Sequence, residues 1–294
     1  MKLSVTSYSF FQYIRAGKMT LLDTVEKARE MGFDGIEFTT LPTELSHDER
    51  LALARDLRKR AEECGLPIVN YATGAKLWQP TDELLAAEIE KTKREVDIAA
   101  ALGTPLMRHD LIFSLEREGT GRGFFAMLPT IARATREITE YAETLGIRTC
   151  SENHGRVAQD SNRMEAVVSA VDHKNYGLLV DFGNFLCADE DPAIAVSRVA
   201  NYAMHAHAKD MKILPYTPTA PEGAFYTRSA QYLRATAIGH GDVPVERCLS
   251  ILRYAGYHGF VTVEYEGKAD CLYGIEEGRR NLLAYLKEIG EFEG

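Results

Sequence analysis

The residues best suited to chemistry stand where short apolar runs give way to polar, glycine-containing sequence: Ser151-Glu152-Asn153-His154, Val180-Asp181-Phe182-Gly183-Asn184, His205-Ala206-His207-Ala208-Lys209-Asp210 and Val263-Glu264-Tyr265-Glu266. A parallel strand ends and a loop begins at such a transition. In a closed parallel barrel those ends meet in one ring at one mouth, so Glu152, Asp181, His207 and Glu264 are expected to converge. Three carboxylates and one imidazole make a divalent-cation site with mostly oxygen ligands. Such a site suits Mn²⁺ first, then Mg²⁺ or Co²⁺, with Zn²⁺ admissible as an open site and not as a closed structural one. A single acidic residue at a strand end is often only a solvated loop residue. Four ligand-type residues on four successive strands form a pattern that this reading does not cover.

Side chains alternate along a strand, so Cys150, Glu152 and His154 share one direction, as do Glu264 and Glu266. The first half of the chain offers Glu37, Asn70, His109 and Asp110 at strand ends, where they would line the same mouth with hydrogen-bonding groups. Glu37, His109, His154, Asn184 and Lys209 are the candidate substrate-binding residues. Lys209 either donates to a substrate oxygen or pairs with Asp210 to align His207. Tyr8, Phe10 and Trp78 are candidates for an apolar wall against the carbon face of a small molecule. The segment Gly239-His240-Gly241-Asp242-Val243-Pro244 has the glycines of a phosphate-cradling loop, but lacks the spacing of a known phosphate motif. Closing a loop over the mouth is its other reading. His47, His173 and His258 read as surface residues without a role.

The elements that must position these residues alternate in type. Apolar, β-branched runs give strands over residues 3–10, 35–38, 67–71, 105–108, 147–152, 176–181, 203–207 and 260–264. Helical periodicity gives helices over 20–31, 48–64, 82–102, 124–145, 161–171, 192–201, 244–255 and 275–289. Gly32, Gly65 and Gly103 stand at helix ends, and Asp191-Pro192 is a cap followed by a first-turn proline. A glycine-rich stretch with Gly119, Gly121 and Gly123 follows the fourth strand. The one long irregular stretch, residues 211–242, reads as a lid or an oligomer contact, because loops of that length are usually functional.

Eight strand–helix units spread over 294 residues match a (β/α)8 TIM barrel, here one domain over residues 1–294. A composition of 45% hydrophobic and 26% charged residues excludes disordered and fibrous classes. The net charge of −9 argues against nucleic acid as a partner. No apolar run is long enough for a membrane span or a secretory leader, which predicts a soluble, cytoplasmic protein with no membrane partner. Cys64, Cys150, Cys187, Cys248 and Cys271 are odd in number and lack CxxC spacing, so reduced thiols are expected.

Taken together, strand-terminal Glu152, Asp181, His207 and Glu264, the HxHxKD run from His205 to Asp210, the Gly-x-Gly-Asp-Val-Pro segment and the Gly-Tyr-His-Gly-Phe-Val-Thr-Val-Glu approach to the last strand resemble the xylose isomerase-like TIM barrel superfamily. The resemblance implies a divalent-metal-dependent sugar, sugar phosphate or keto-inositol isomerase or epimerase that works by proton abstraction through a metal-stabilised enediolate. It makes Glu152 and Glu264 the catalytic pair, each also touching the metal. Two alternatives within the superfamily are an inosose dehydratase-like dehydratase of a keto-polyol and an endonuclease IV-like nuclease. Ketose 3-epimerases generally carry a histidine three residues after the strand-six Asp. This chain has Asn184 there, which argues against that identity. Many members form homodimers or homotetramers, so either assembly is compatible with the resemblance.

Overall fold

The helices begin and end on local chemistry that their own sequence supplies. A computed structural model describes residues 1–113 and 123–291 of the chain; Gly119 and Gly121 of the expected glycine-rich stretch lie outside the described residues. After a short helix α1 (Phe11–Arg15), helix α2 (Leu21–Glu30) opens on a reciprocal cap between Thr20 and Asp23, and α3 (His47–Cys64) on the same device between Ser46 and Glu49. Each pair satisfies backbone N–H groups that the first helical turn leaves open. Helix α4 (Asp82–Leu102) is capped by Thr81, α6 (Ser161–Val171) by Asp160 and α8 (Pro192–Val199) by Asp191. The remaining long helices are α5 (Phe124–Thr144), α9 (Val245–Tyr254) and α10 (Cys271–Glu288), and α7 (Asn184–Cys187) is a single turn.

Between them run the barrel strands β1 (Lys2–Thr6), β2 (Gly35–Thr39), β3 (Ile68–Thr73), β4 (Leu106–His109), β5 (Arg148–Glu152), β6 (Tyr176–Asp181) and β7 (Ala203–Ala208). Strands β8 (Asp210–Leu214), β9 (Phe225–Tyr226) and β10 (Tyr232–Thr236) form a separate sheet, and β11 (Phe260–Val263) completes the barrel. The eight barrel strands pair in parallel in the order β1-β11-β7-β6-β5-β4-β3-β2, with β2 returning to β1. Closure puts alternate side chains inside. Ser4 and Thr262 share a 2.7 Å hydrogen bond in the interior, Leu106, Cys150 and Leu179 pack together in a small apolar layer, and the residues two places further along each strand form a polar layer at the mouth. The opposite faces of the strands, with Val5, Ile36, Tyr71 and Val180, join the helices in the main core.

Three departures from the expected elements bear on the mouth. Strand β1 stops at Thr6, whose hydroxyl accepts the Tyr8 N–H and turns Ser7–Phe10 into a 3-10 helix. Ser9 then binds the end of β11, donating to the Val263 carbonyl and accepting the Tyr265 N–H. Helix α10 starts at Cys271, a turn earlier than the periodicity implies. Asp270 caps it there, and glycine is required at 274 because a Cβ would lie 2.3 Å from the Tyr265 ring. The stretch over 211–242 is not irregular: it is built around the antiparallel sheet β8-β10-β9, with register from Tyr232–Leu214 to Thr236–Asp210.

The segment after that sheet also has a definite job. The Asp210 carboxylate accepts the N–H groups of Met211, Gly239, Gly241 and Val243 at 2.8–3.1 Å. An internal carboxylate therefore fills the cradle that the glycines make. A Cβ at residue 241 would stand 2.1 Å from Asp210 Oδ1, so only glycine fits.

Candidate metal centre

The ends of β5, β6, β7 and β11 bring Glu152, Asp181, His207 and Glu264 together, each offering one ligand atom, with all four atoms within 4.8 Å of one another. Their side chains are buried or nearly so. Asp181 is tied at its backbone by the Asn153 amide, which accepts its N–H at 2.8 Å and donates to its carbonyl at 2.9 Å. One carboxyl oxygen, Oδ1, accepts the Asn184 N–H at 2.7 Å, while the buried Oδ2 makes no hydrogen bond. Burial pushes the Asp181 carboxyl up to about 7, against the pull of Lys209 and with added repulsion from Glu264 and Glu152.

His207 is aimed by Glu37. Its Nε2 lies 2.9 Å from Glu37 Oε2, which also takes the Asn70 amide at 2.8 Å and stands 3.3 Å from His205 Nε2. Burial alone would raise the Glu37 carboxyl, but the two imidazoles outweigh it and hold it well below the usual carboxylate range. Nδ1 of His207 is left facing Glu264 Oε2 at 3.4 Å and Asp181 Oδ2 at 4.0 Å, and hydrogen-bonds neither. Glu37, His205 and His207 are close enough to count as a second ligand group. Glu37 Oε2 is already engaged there, so this group serves as the support that orients His207.

Cations balance the acids. Lys209 Nζ sits 2.7 Å from Glu264 Oε2, 3.5 Å from Glu266 Oε1 and 3.7 Å from Asp181 Oδ2, and donates to Asn184 Oδ1 at 3.4 Å. Burial would push the Glu264 carboxyl up, but Lys209 and His207 hold it well below its ordinary range. Arg108 bridges Glu152 Oε2 at 2.7 Å and Asp110 Oδ1 at 2.8 Å, and Asn184 donates to Glu152 Oε1 at 2.7 Å. His154 stands at the rim, one-third exposed, with Nδ1 3.0 Å from Asp110 Oδ1 and its ring edge-on to Phe113.

Seven of the residues singled out in the sequence therefore share one pocket: Glu37, Glu152, Asp181, Asn184, His207, Lys209 and Glu264, with His154 beside them. His109 is not among them. Its ring is fully buried near Tyr176, its Nδ1 contacts the Asp110 carbonyl, and burial pushes it down to about 4. The inward residue of β4 is Arg108, which pairs in register with Cys150 of the inner layer. Arg108, His205 and Asn153 carry the site without having been assigned a role in the sequence. Strand parity gives the signal for the first two, since each lies two residues from another inward side chain.

The expected aromatic wall is not built as expected. Phe10 is wholly in the core and Trp78 packs against it, while Tyr8 alone lies near Glu264 and Glu266. Phe113, Phe225 and Tyr226 instead line a mouth cavity of about 240 Å³ that also reaches Lys209, Asn184 and Glu266. A cavity of about 520 Å³ opens at the other end of the barrel, between Arg58, Leu66, Arg148 and Phe260, away from the acid cluster.

The donor set fits a divalent cation on structural grounds. Asp181 Oδ2 and His207 Nδ1 are buried polar atoms without hydrogen bonds, facing each other beside two further carboxylates, an arrangement that is costly unless a cation shares them. Residues 25–289 match the family model described as xylose isomerase-like TIM barrel. An inosose dehydratase of Clostridium perfringens (strain 13) is 22% identical over 138 residues, which is 47% of this chain and 46% of that protein, so the match spans about half the relative's length. Among solved structures, the IOLI protein with a bound zinc atom superposes with a TM-score of 0.78 at 16% identity, covering 99% of this chain and 100% of the other. The 3-keto-D-glucoside 4-epimerase YcjR from E. coli gives 0.71 at 16%, covering 97% and 99%. No helix among the described residues is long and apolar enough to cross a membrane.

Proposed function

The chain belongs to the xylose isomerase-like TIM barrel family, and on that premise we propose that it is a divalent-metal-dependent isomerase or epimerase of a sugar, sugar phosphate or keto-polyol. The reaction is proton transfer at a carbon beside a carbonyl. Glu152, Asp181, His207 and Glu264 would hold the cation, which supplies Lewis acidity that makes such a C–H bond easier to ionise. The observation that carries this reading is the gathering of these four ligand atoms within 4.8 Å at the mouth of a cavity large enough for a small polyol.

The chain's own residues divide the remaining work. Glu152 and Glu264 stand on strands separated in the barrel by β6 and β7, so they approach the mouth from different sides. One carboxylate takes the proton from carbon and the other returns it, or the same one does both. Arg108 and Asn184 fix both oxygens of Glu152, and Lys209 fixes Glu264, so neither carboxylate is free to rotate away. Asp181 and Glu37 set the position of the ligand atoms and take no proton from the substrate. His154, partly exposed at the rim and held by Asp110, is placed to donate to a substrate oxygen.

Dehydration of a keto-polyol is the second reading, favoured by the inosose dehydratase relatives. It shares the first proton transfer and then expels a β-hydroxyl. The test is a screen of the cation-loaded protein in D₂O over ketoses, keto-inositols and their phosphates. Deuterium on carbon without net redox supports isomerisation or epimerisation, and an absorbing enone supports dehydration. A loaded protein that does neither, or a Glu264→Gln variant that retains full exchange, would overturn the proposal.

A further inference from the structure

The mouth cavity carries a cation that its own fold does not neutralise. Arg156 lines it, with an exposed side chain that makes no hydrogen bond or ion pair to any described residue. Every other cation of that cavity is engaged: Lys209 with Glu264 at 2.7 Å and Arg228 with Asp160 at 2.9 Å. The position of Arg156 is nonetheless built. Its N–H donates to the Phe113 carbonyl at 2.7 Å, and the preceding Gly155, at φ +81, lets the two segments touch where a Cβ would lie 2.6 Å from the Phe113 oxygen. A second, independent feature sits beside it. Gln159 is only 3% exposed, lines the same cavity and has no hydrogen-bond partner among the described residues, so its amide is available to a molecule in that cavity.

We propose that Arg156 and Gln159 form an oxyanion subsite of the mouth cavity, so that the substrate is an acidic polyol or keto-polyol bearing a carboxylate or a phosphate. This rests on the reaction assigned above and narrows its substrate class. The planar guanidinium offers paired donors that match either group, and the Gln159 amide supplies a further N–H. Neutral hydroxyls can accept from the guanidinium but carry no charge to match it, whereas a carboxylate or phosphate does both. The cavity lining runs from Lys209, Asn184 and Glu266 beside the acid cluster to Arg156 and Gln159, so one molecule can engage both.

The test is calorimetric titration of the cation-loaded full chain with inorganic phosphate and, separately, acetate, in wild type, Arg156→Ala and Gln159→Leu. Both variants are checked for unchanged melting. At least one anion should bind the wild type, with about tenfold or greater weakening in Arg156→Ala and a smaller loss in Gln159→Leu. Weakening for phosphate alone identifies a phosphorylated substrate, and for acetate alone a carboxylate. No binding up to about 50 mM, or equal binding by wild type and Arg156→Ala, overturns the subsite. Proton exchange on the same variants separates the two claims. Neutral polyols exchanging equally well with wild type and Arg156→Ala end the subsite and keep the reaction, whereas Arg156-dependent anion binding without exchange or enone on any polyol keeps the subsite and ends the reaction.

Discussion

His207 can offer only one nitrogen to a cation, and Glu37 decides which. Because Glu37 Oε2 holds Nε2 at 2.9 Å, Nδ1 is turned toward Asp181 and Glu264 and its tautomer is set by the carboxylate. Replacing Glu37 by Gln keeps the shape, removes the charge and leaves two imidazoles competing for one neutral amide. The expected outcome is a roughly 10–100-fold fall in cation affinity, as is typical when the partner of a ligand histidine is lost. Competition against a chelating dye measures it, and a change below about threefold would show that Glu37 does not orient the ligand. The four clustered residues themselves were legible because each is a chemically distinctive residue at the end of an apolar run. His109 was selected by residue type, but β4 begins and ends one residue later than its apolar run implies, and parity turns Arg108 inward and His109 toward the helices. Asn153 left no signal: its role is to bridge the backbone of a neighbouring strand, and nothing in a single sequence specifies that pairing.

At the level of elements, helices were read more closely than loops, since caps and terminal glycines are written locally. The boundaries of α4 and α6 match the expected ones because Thr81 with Gly103 and Asp160 fix them. The sheet over 210–236 was missed because its prolines and short strands resemble loop composition, and its register depends on β8 and β10 finding each other across the 17 residues between them rather than on any strong local alternation. What anchors that excursion to the barrel is Asp210, one residue past Lys209. Its carboxylate terminates four backbone N–H groups, three of them from the chain returning at Gly239, Gly241 and Val243. Asp210→Ala should lower unfolding free energy by about 2–4 kcal/mol, on the basis of about 1–3 kcal/mol for a buried donor left without a partner and partial rescue by water. Urea denaturation checks it. A loss within about 0.5 kcal/mol, the usual range of a surface substitution, would mean the returning chain is held by something else.

On the scale of the whole molecule, closing the barrel gathers more carboxylates than lysines and arginines around its axis. Glu37, Glu152, Asp181 and Glu264 come from the ends of four strands that meet only when the sheet closes, and Asp181 is wholly buried with one oxygen making no hydrogen bond. Lys209 and Arg108 offset part of this repulsion, while burial, with a smaller contribution from Glu264 and Glu152, pushes the Asp181 carboxyl up to about 7 despite Lys209. Cation binding as proposed would be coupled to folding: an ion that binds the closed barrel and not the open chain stabilises by about 2.7 kcal/mol at a hundredfold excess over its Kd. For a domain of this size that corresponds to a rise in Tm of about 4–5 °C. Scanning calorimetry should show this rise when chelator-treated protein is reloaded with Mn²⁺. Asp181→Asn separates the ligand role from a general effect of salt, because it removes one ligand charge while preserving volume and the hydrogen bond from Asn184. The stripped variant should melt at or above stripped wild type, being relieved of a buried charge, yet gain little on reloading. Equal gains in variant and wild type would place the ion elsewhere, and no gain in either would mean that the four strand ends do not hold a cation at all.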